Sequence, residues 1–230
     1  MHMTRRTFLE YATGAMATSL GGLRFDLWQP TVLLDLKQHS GLSESVAGYE
    51  ATLASMGTRL VRAEPSSVPR CAVLIVPAAL HIPRPARQAI LTCLAAGGTV
   101  ILESGAGFAA EHDVRAHRAE LRDSLHVHIE APVHLWTTRS QRIPYVDYTW
   151  PYPAKVRDFS RVVPLTRQPG EIIAWIDGRP VCFKRQMGRG TLIFLGSPLG
   201  PALWARDAEA RRWLSLTLRL HSARLPLLHQ

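Results

Sequence analysis

The 230-residue chain is 47% apolar and 20% charged and has no low-complexity tract, which suits one well-packed soluble domain and sets aside disordered and fibrous classes. Its formal charge of +9 rests mostly on arginines scattered along the chain, without a Lys/Arg cluster of the kind that tracks a phosphate backbone, so no nucleic-acid partner is expected. No run reaches the roughly 18 uninterrupted apolar residues of a membrane span, so no integral membrane segment is expected.

Residues 4–23, TRRTFLEYATGAMATSLGGL, place Arg5, Arg6, Phe8 and Leu9 where a bacterial twin-arginine export signal has them. That resemblance implies an exported, periplasmic protein whose residues 1–25 lie outside the fold and whose single domain spans 26–230. The alternative is an amphipathic N-terminal helix on a cytoplasmic protein.

Beyond Pro30, TVLLDL (31–36) reads as a buried strand, and Leu42, Val46, Tyr49, Leu53 and Met56 recur at helical spacing, with Ser43 as N-cap and Gly57 as C-cap. TRLVRAE and AVLIVPA (72–78) read as the next two strands. A helix over 84–96, with Pro85 in its first turn, ends at Gly97-Gly98 and leads into the strand TVILES. Alternation at this spacing predicts a mostly parallel sheet covered by helices on both faces.

A polar helix is expected over 111–122, then a strand in HVHIEAPVHL with one face exposed. Residues 136–170, rich in proline and aromatics (IPYVDYTWPYP), read as a long surface excursion without regular structure, the sort of loop that carries function. Asp177-Gly178 marks a hairpin, Gly188-Arg189-Gly190 a second turn, and TLIFLG a buried strand. A closing helix over 204–220 would bury Trp204, Ala208, Trp213, Leu216 and Leu220.

The order VLIVPAALHIPRPARQAILTCLAAGGTVILESGAG followed by GRGTLIFLG resembles the class I glutamine-amidotransferase-like fold. The likeness is closer to its non-catalytic branch, which includes the trimerisation domain of bacterial β-galactosidases. The resemblance implies a three-layer, flavodoxin-like α/β domain with a C-terminal β-hairpin and helix. In a working amidotransferase a Gly-x-Cys-x-Gly elbow follows this strand and a histidine follows the last strand. Here the elbow reads Glu103-Ser104-Gly105-Ala106-Gly107, placing Gly105 at the nucleophile position, and Gly196-Ser197-Pro198 follows the last strand. Glycine cannot attack a carbonyl, so glutaminase chemistry is not expected.

Several site readings stand beside one another. Ser104 could act as a nucleophile with Glu103 as orienter and His112, His117 or His81 as base, making a hydrolase; serine and glutamate at a strand end more commonly bond to the turn. Gly105 to Ala110 matches G-x-G-x-x-A, with Glu130 at the distance of a ribose-binding acid, although acidic Glu111 and Asp113 oppose a phosphate there. His126 and His128 share a strand face, yet i, i+2 spacing is a weak metal signature, and no metal or cofactor is implied.

Tyr145, Asp147, Tyr148, Trp150, Tyr152 and Arg157 combine flat apolar faces with polar groups, as surfaces that stack on sugars or anchor a protein partner do; equally, the rings could fold down as a lid. Cys71, Cys93 and Cys182 read as small buried hydrophobes, with one pair able to bridge in an oxidising compartment. The expectation is a non-catalytic binding or assembly module of the cell envelope, carbohydrate-linked or self-associating, with the Ser104 hydrolase as the alternative.

Overall fold

A computed structural model describes residues 29–105, 107–135, 144–159, 162–166 and 170–222; the export-signal-like segment lies outside them. Strand β1 (Thr31–Leu34) is followed by helix α1 (Ser43–Ser55), β2 (Leu60–Ala63), β3 (Val73–Ala79), α2 (Arg84–Ala95), β4 (Thr99–Ser104) and α3 (Glu111–Leu125). Then come β5 (Tyr145–Tyr148), β6 (Ala154–Arg157), β7 (Glu171–Ile176), β8 (Arg179–Met187), β9 (Gly190–Leu195), α4 (Gly200–Trp204) and α5 (Ala208–Ser222).

The strands form one sheet in the order β2-β1-β3-β4-β9-β8-β7-β5-β6. The half from β2 to β9 is parallel and the half from β9 to β6 antiparallel. Two-sided burial explains the continuous apolar runs of β1, β3, β4 and β9, because successive side chains enter opposite layers. Leu33, Ile75, Ile101 and Ile193 meet Tyr49 and Leu53 of α1, Leu203 of α4 and Trp213 of α5. Val32, Leu74, Val100 and Phe194 meet Ile90 and Leu94 of α2 and Leu121 and Leu125 of α3. The result is the expected three-layer α/β domain.

Turn chemistry fixes the antiparallel half. Asp177 (φ 47°) and Gly178 (φ 75°) are both left-handed, the backbone of a two-residue hairpin whose twist matches its strands. Helix α1 starts at Ser43 itself, with Leu42 as the cap residue, one position from expectation.

Three expectations are corrected. The excursion over 136–170 contains β5 and β6, which extend the sheet to its edge. Residues 126–135 form no strand: His126 (φ 49°) closes α3 in the left-handed region, and the segment is tied down by isolated bridges, Ile129 to Leu165 and Val133 to Val162, and by Arg179 beside Glu130. The alternation was nevertheless meaningful, since Val127 and Ile129 are buried while His126 and His128 face solvent. The closing helix is two helices, broken at Arg206 (φ 59°), with Asp207 Oδ1 accepting from the Ala210 N–H at 2.9 Å. The break resets the register, so Ala210, Trp213, Leu214 and Leu218 point inward while Trp204 and Leu220 are 57% and 48% exposed.

Candidate functional site

The elbow after β4 is closed by a buried carboxylate. Glu103 Oε1 accepts from the Tyr49 hydroxyl (2.7 Å), the Leu199 N–H (2.7 Å) and the Gly200 N–H (2.9 Å). Its Oε2 accepts from the Ser45 hydroxyl and the Ala78 N–H, each at 3.0 Å. Burial pushes the carboxyl above its usual range, and the donors at Tyr49, Gly200, Ala78 and Ser45 pull it back. Ala78 sits at φ 38°, a strained irregularity near the end of β3 that aims its N–H at this carboxylate.

Both glycines beside this knot are dictated by close approach. A Cβ on Gly105 would lie 2.7 Å from the Ala78 carbonyl oxygen, and one on Gly200 would lie 2.3 Å from Ser45 Cα. The elbow position at Gly105 therefore has no room for a side chain. Gly107 is looser, its added Cβ coming no nearer a described residue than 3.4 Å, at the Gly41 carbonyl oxygen.

Ser104 Oγ lies 3.0 Å from His117 Nε2, within hydrogen-bond reach, so of the three candidate bases His117 meets the serine. His112 is exposed and lies 3.2 Å from its neighbour Asp113, while His81 pairs with Glu120. The Ser104–His117 pair is sealed: Ser104 is 0% and His117 1% exposed, and the Phe108 ring tilts against the imidazole at 5.2 Å. Among the described residues His117 Nδ1 has no hydrogen-bond partner, and none of them orients the ring as a carboxylate does in a catalytic triad. Burial lowers its pKa to about 3, helped by His81, which makes it a weak base. Among the described residues no three His, Cys, Asp or Glu side chains gather as a metal site.

The aromatic segment divides between core and surface. Tyr148 is buried and tilts on Trp213 at 5.1 Å. Trp150 packs edge-on against Trp213 at 6.1 Å, accepts the Trp213 indole N–H on its carbonyl at 2.7 Å, and carries the Lys184 ammonium over its ring at 4.6 Å. These two rings pack inward against α5. Tyr145 is 43% exposed, on the same face of the edge as Asp147, whose Oδ1 lies 3.5 Å from Lys155 Nζ. Arg157 places its guanidinium 4.8 Å over the Phe159 ring.

An open depression of about 490 Å³ lies beside this edge, lined by Asp147, Tyr148, Tyr152, Lys155, Glu209 and Arg212 among others. Tyr152 donates to Glu209 Oε2 at 2.7 Å under the Arg212 guanidinium, which stands 4.5 Å from the ring centre. Glu209 and Arg212 escaped the sequence reading because they lie on α5, more than fifty residues from the aromatic run. Ser45, Tyr49 and Gly200 likewise carry no local signal of their meeting at Glu103.

No family model matches the sequence, and no curated protein matches it. The architecture defines the class: an α/β domain with a half-parallel, half-antiparallel sheet, of a kind found within glycoside hydrolases. It is similar to part of a GH42 β-galactosidase from G. stearothermophilus (13% identity, TM-score 0.60), covering 95% of this chain and 34% of that one. It is also similar to part of an exo-β-1,4-mannosidase from Opitutaceae bacterium strain TAV5 (11%, TM-score 0.59, 94% and 39%). A cytoplasmic protein from Salmonella typhimurium LT2 matches over 83% of this chain and 99% of its own (12%, TM-score 0.58). The chain thus spans little more than a third of the two glycosidases, and at these identities the likeness is one of fold.

Proposed function

We propose that this chain is a non-catalytic binding or assembly module with an amidotransferase-like fold, working in the bacterial cell envelope on carbohydrate-related business. The observation that carries the reading is the closed elbow: Glu103 is spent on five structural hydrogen bonds, and Gly105 sits where no reactive side chain fits. The glycosidase neighbours support it by analogy of fold alone. The contact surface is the β5–β6 edge with Tyr145, Asp147 and Lys155 and the adjoining depression at Tyr152, where exposed rings beside paired charges suit a protein partner, a second copy or a sugar.

The test is molar mass by light scattering across concentration, together with calorimetric titration of galacto- and manno-oligosaccharides. Self-association or sugar binding that disappears in the Tyr145→Ala/Tyr152→Ala double variant supports the reading; a monomer blind to every sugar and unable to retain a partner overturns it. Export rests on Arg5 and Arg6, and its test is the compartment of the full chain: Arg5→Lys/Arg6→Lys should hold it in the cytoplasm.

One observation favours a second reading. The 3.0 Å contact between Ser104 Oγ and His117 Nε2 is that of a serine nucleophile with its base, and ester turnover lost in Ser104→Ala would establish a hydrolase in place of the binding module.

A further inference from the structure

The three cysteines are not equivalent. Cys71 Sγ and Cys93 Sγ lie 3.9 Å apart, joining the residue that enters β3 to the last turns of α2. Cys182 lies at the centre of the antiparallel half, 0% exposed, its thiol 3.8 Å from the Tyr148 hydroxyl. We propose that Cys71 and Cys93 form an oxidisable dithiol, a redox modification site that closes to an intramolecular disulfide while Cys182 stays a thiol.

The packing around the pair is built for sulfur. A Cβ on Gly98 would stand 2.6 Å from Cys93 Sγ and 3.1 Å from the Cys71 carbonyl oxygen, so the absent side chain leaves the space in which the two thiols meet. A disulfide needs about 2.05 Å between sulfurs, and the remaining approach of roughly 2 Å is within reach of side-chain rotation about Cα–Cβ. Access comes from the chain just before Cys71. Residues 66, 67, 69 and 70 are exposed and 64–72 contain no strand or helix, so a local opening there uncovers Cys71 without disturbing the sheet.

The two thiols differ in how they can be reached. Cys71 is the attacking sulfur, because an opening of 64–72 uncovers it while Cys93 stays packed in α2.

The oxidant is a disulfide, of a small thiol or of an oxidoreductase. The Cys71 thiolate attacks one of its sulfurs, forming a mixed disulfide and expelling the first thiolate. The Cys93 thiolate then attacks Cys71 Sγ and expels the second. Two protein thiols are oxidised, one disulfide is reduced to two thiols, and the two protons pass to the departing thiolates. The ring so closed constrains some twenty residues of the unfolded chain and should raise Tm by roughly 5–10 °C.

The experiment is equilibration of the full native chain with oxidised glutathione, then alkylation under denaturing, non-reducing conditions and peptide mass spectrometry. The expected result is one alkylated cysteine, Cys182, a peptide pair linked through Cys71 and Cys93, and a Tm rise reversed by dithiothreitol. In Cys93→Ala, the reaction should stop at a glutathione adduct on Cys71. Three alkylated cysteines after equilibration, a link that includes Cys182, or persistent glutathione on wild-type Cys71 would overturn the proposal.

Discussion

Replacing Glu103 by glutamine changes one atom and tests whether the elbow is a structural knot. The amide keeps one oxygen, and the better arrangement puts it at the Oε1 position, where it still accepts from Tyr49, Leu199 and Gly200. The NH2 group then faces Ser45 and the Ala78 N–H. Ser45 can turn its hydroxyl to accept, but the Ala78 N–H cannot, and a buried donor without a partner costs about 1–3 kcal/mol. The three surviving bonds also lose their charge assistance, offset by relief from burying a charge, so a net loss of about 2–4 kcal/mol is expected. Urea unfolding at pH 7, followed by circular dichroism with the m-value held as a check on two-state behaviour, measures it. A Glu103→Gln protein within about 0.5 kcal/mol of wild type would refute the knot and return Glu103 to the pool of functional carboxylates.

His117 offers a pH test. Its folded pKa of about 3 lies below the usual 6.5, so its neutral form contributes stability in full above pH 6.5, and that contribution is lost as pH falls toward 3, by about 1.4 kcal/mol per unit at most. His117→Phe should flatten this part of the stability profile, and an unchanged slope would place the titration elsewhere. Gly200→Ala drives a methyl group into the backbone at Ser45; it should cost at least about 1–3 kcal/mol and lower Tm without changing secondary structure content. Trp150→Ala removes a ring that packs on Trp213 and lies under Lys184, so it should destabilise by about 3 kcal/mol, whereas Tyr145→Ala should leave Tm within a degree or two and alter only partner or sugar binding.

What the residues revealed in advance depended on how local the cause was. The strands at 31–34, 73–79 and 99–104 were legible because burial on both faces writes itself as an unbroken apolar run. The Asp177-Gly178 turn was legible because few sequences tolerate two left-handed residues. Strands β5 and β6 were not, since each is four residues long and their pairing is settled by β7, more than twenty residues away from β5. The stripe on the last helix was misjudged by the break at Arg206, a tertiary choice that rotated Trp204 and Leu220 outward. At the site, Ser104 and His117 were both named, but the identity of the base turned on the winding of α3. The Glu103 partners come from positions 45, 49, 78, 199 and 200, and no spacing rule connects such distances.

The same carboxylate ties α1, the end of β3 and the start of α4 to a single atom group. The amide protons of Ala78, Leu199 and Gly200, although they belong to segments up to 122 residues apart in the numbering, therefore share one lock. They should exchange with solvent deuterium at one common rate set by whole-domain opening, so the C-terminal rim of the parallel half, where open α/β sheets ordinarily flex to admit a ligand, behaves here as part of the slow-exchanging core.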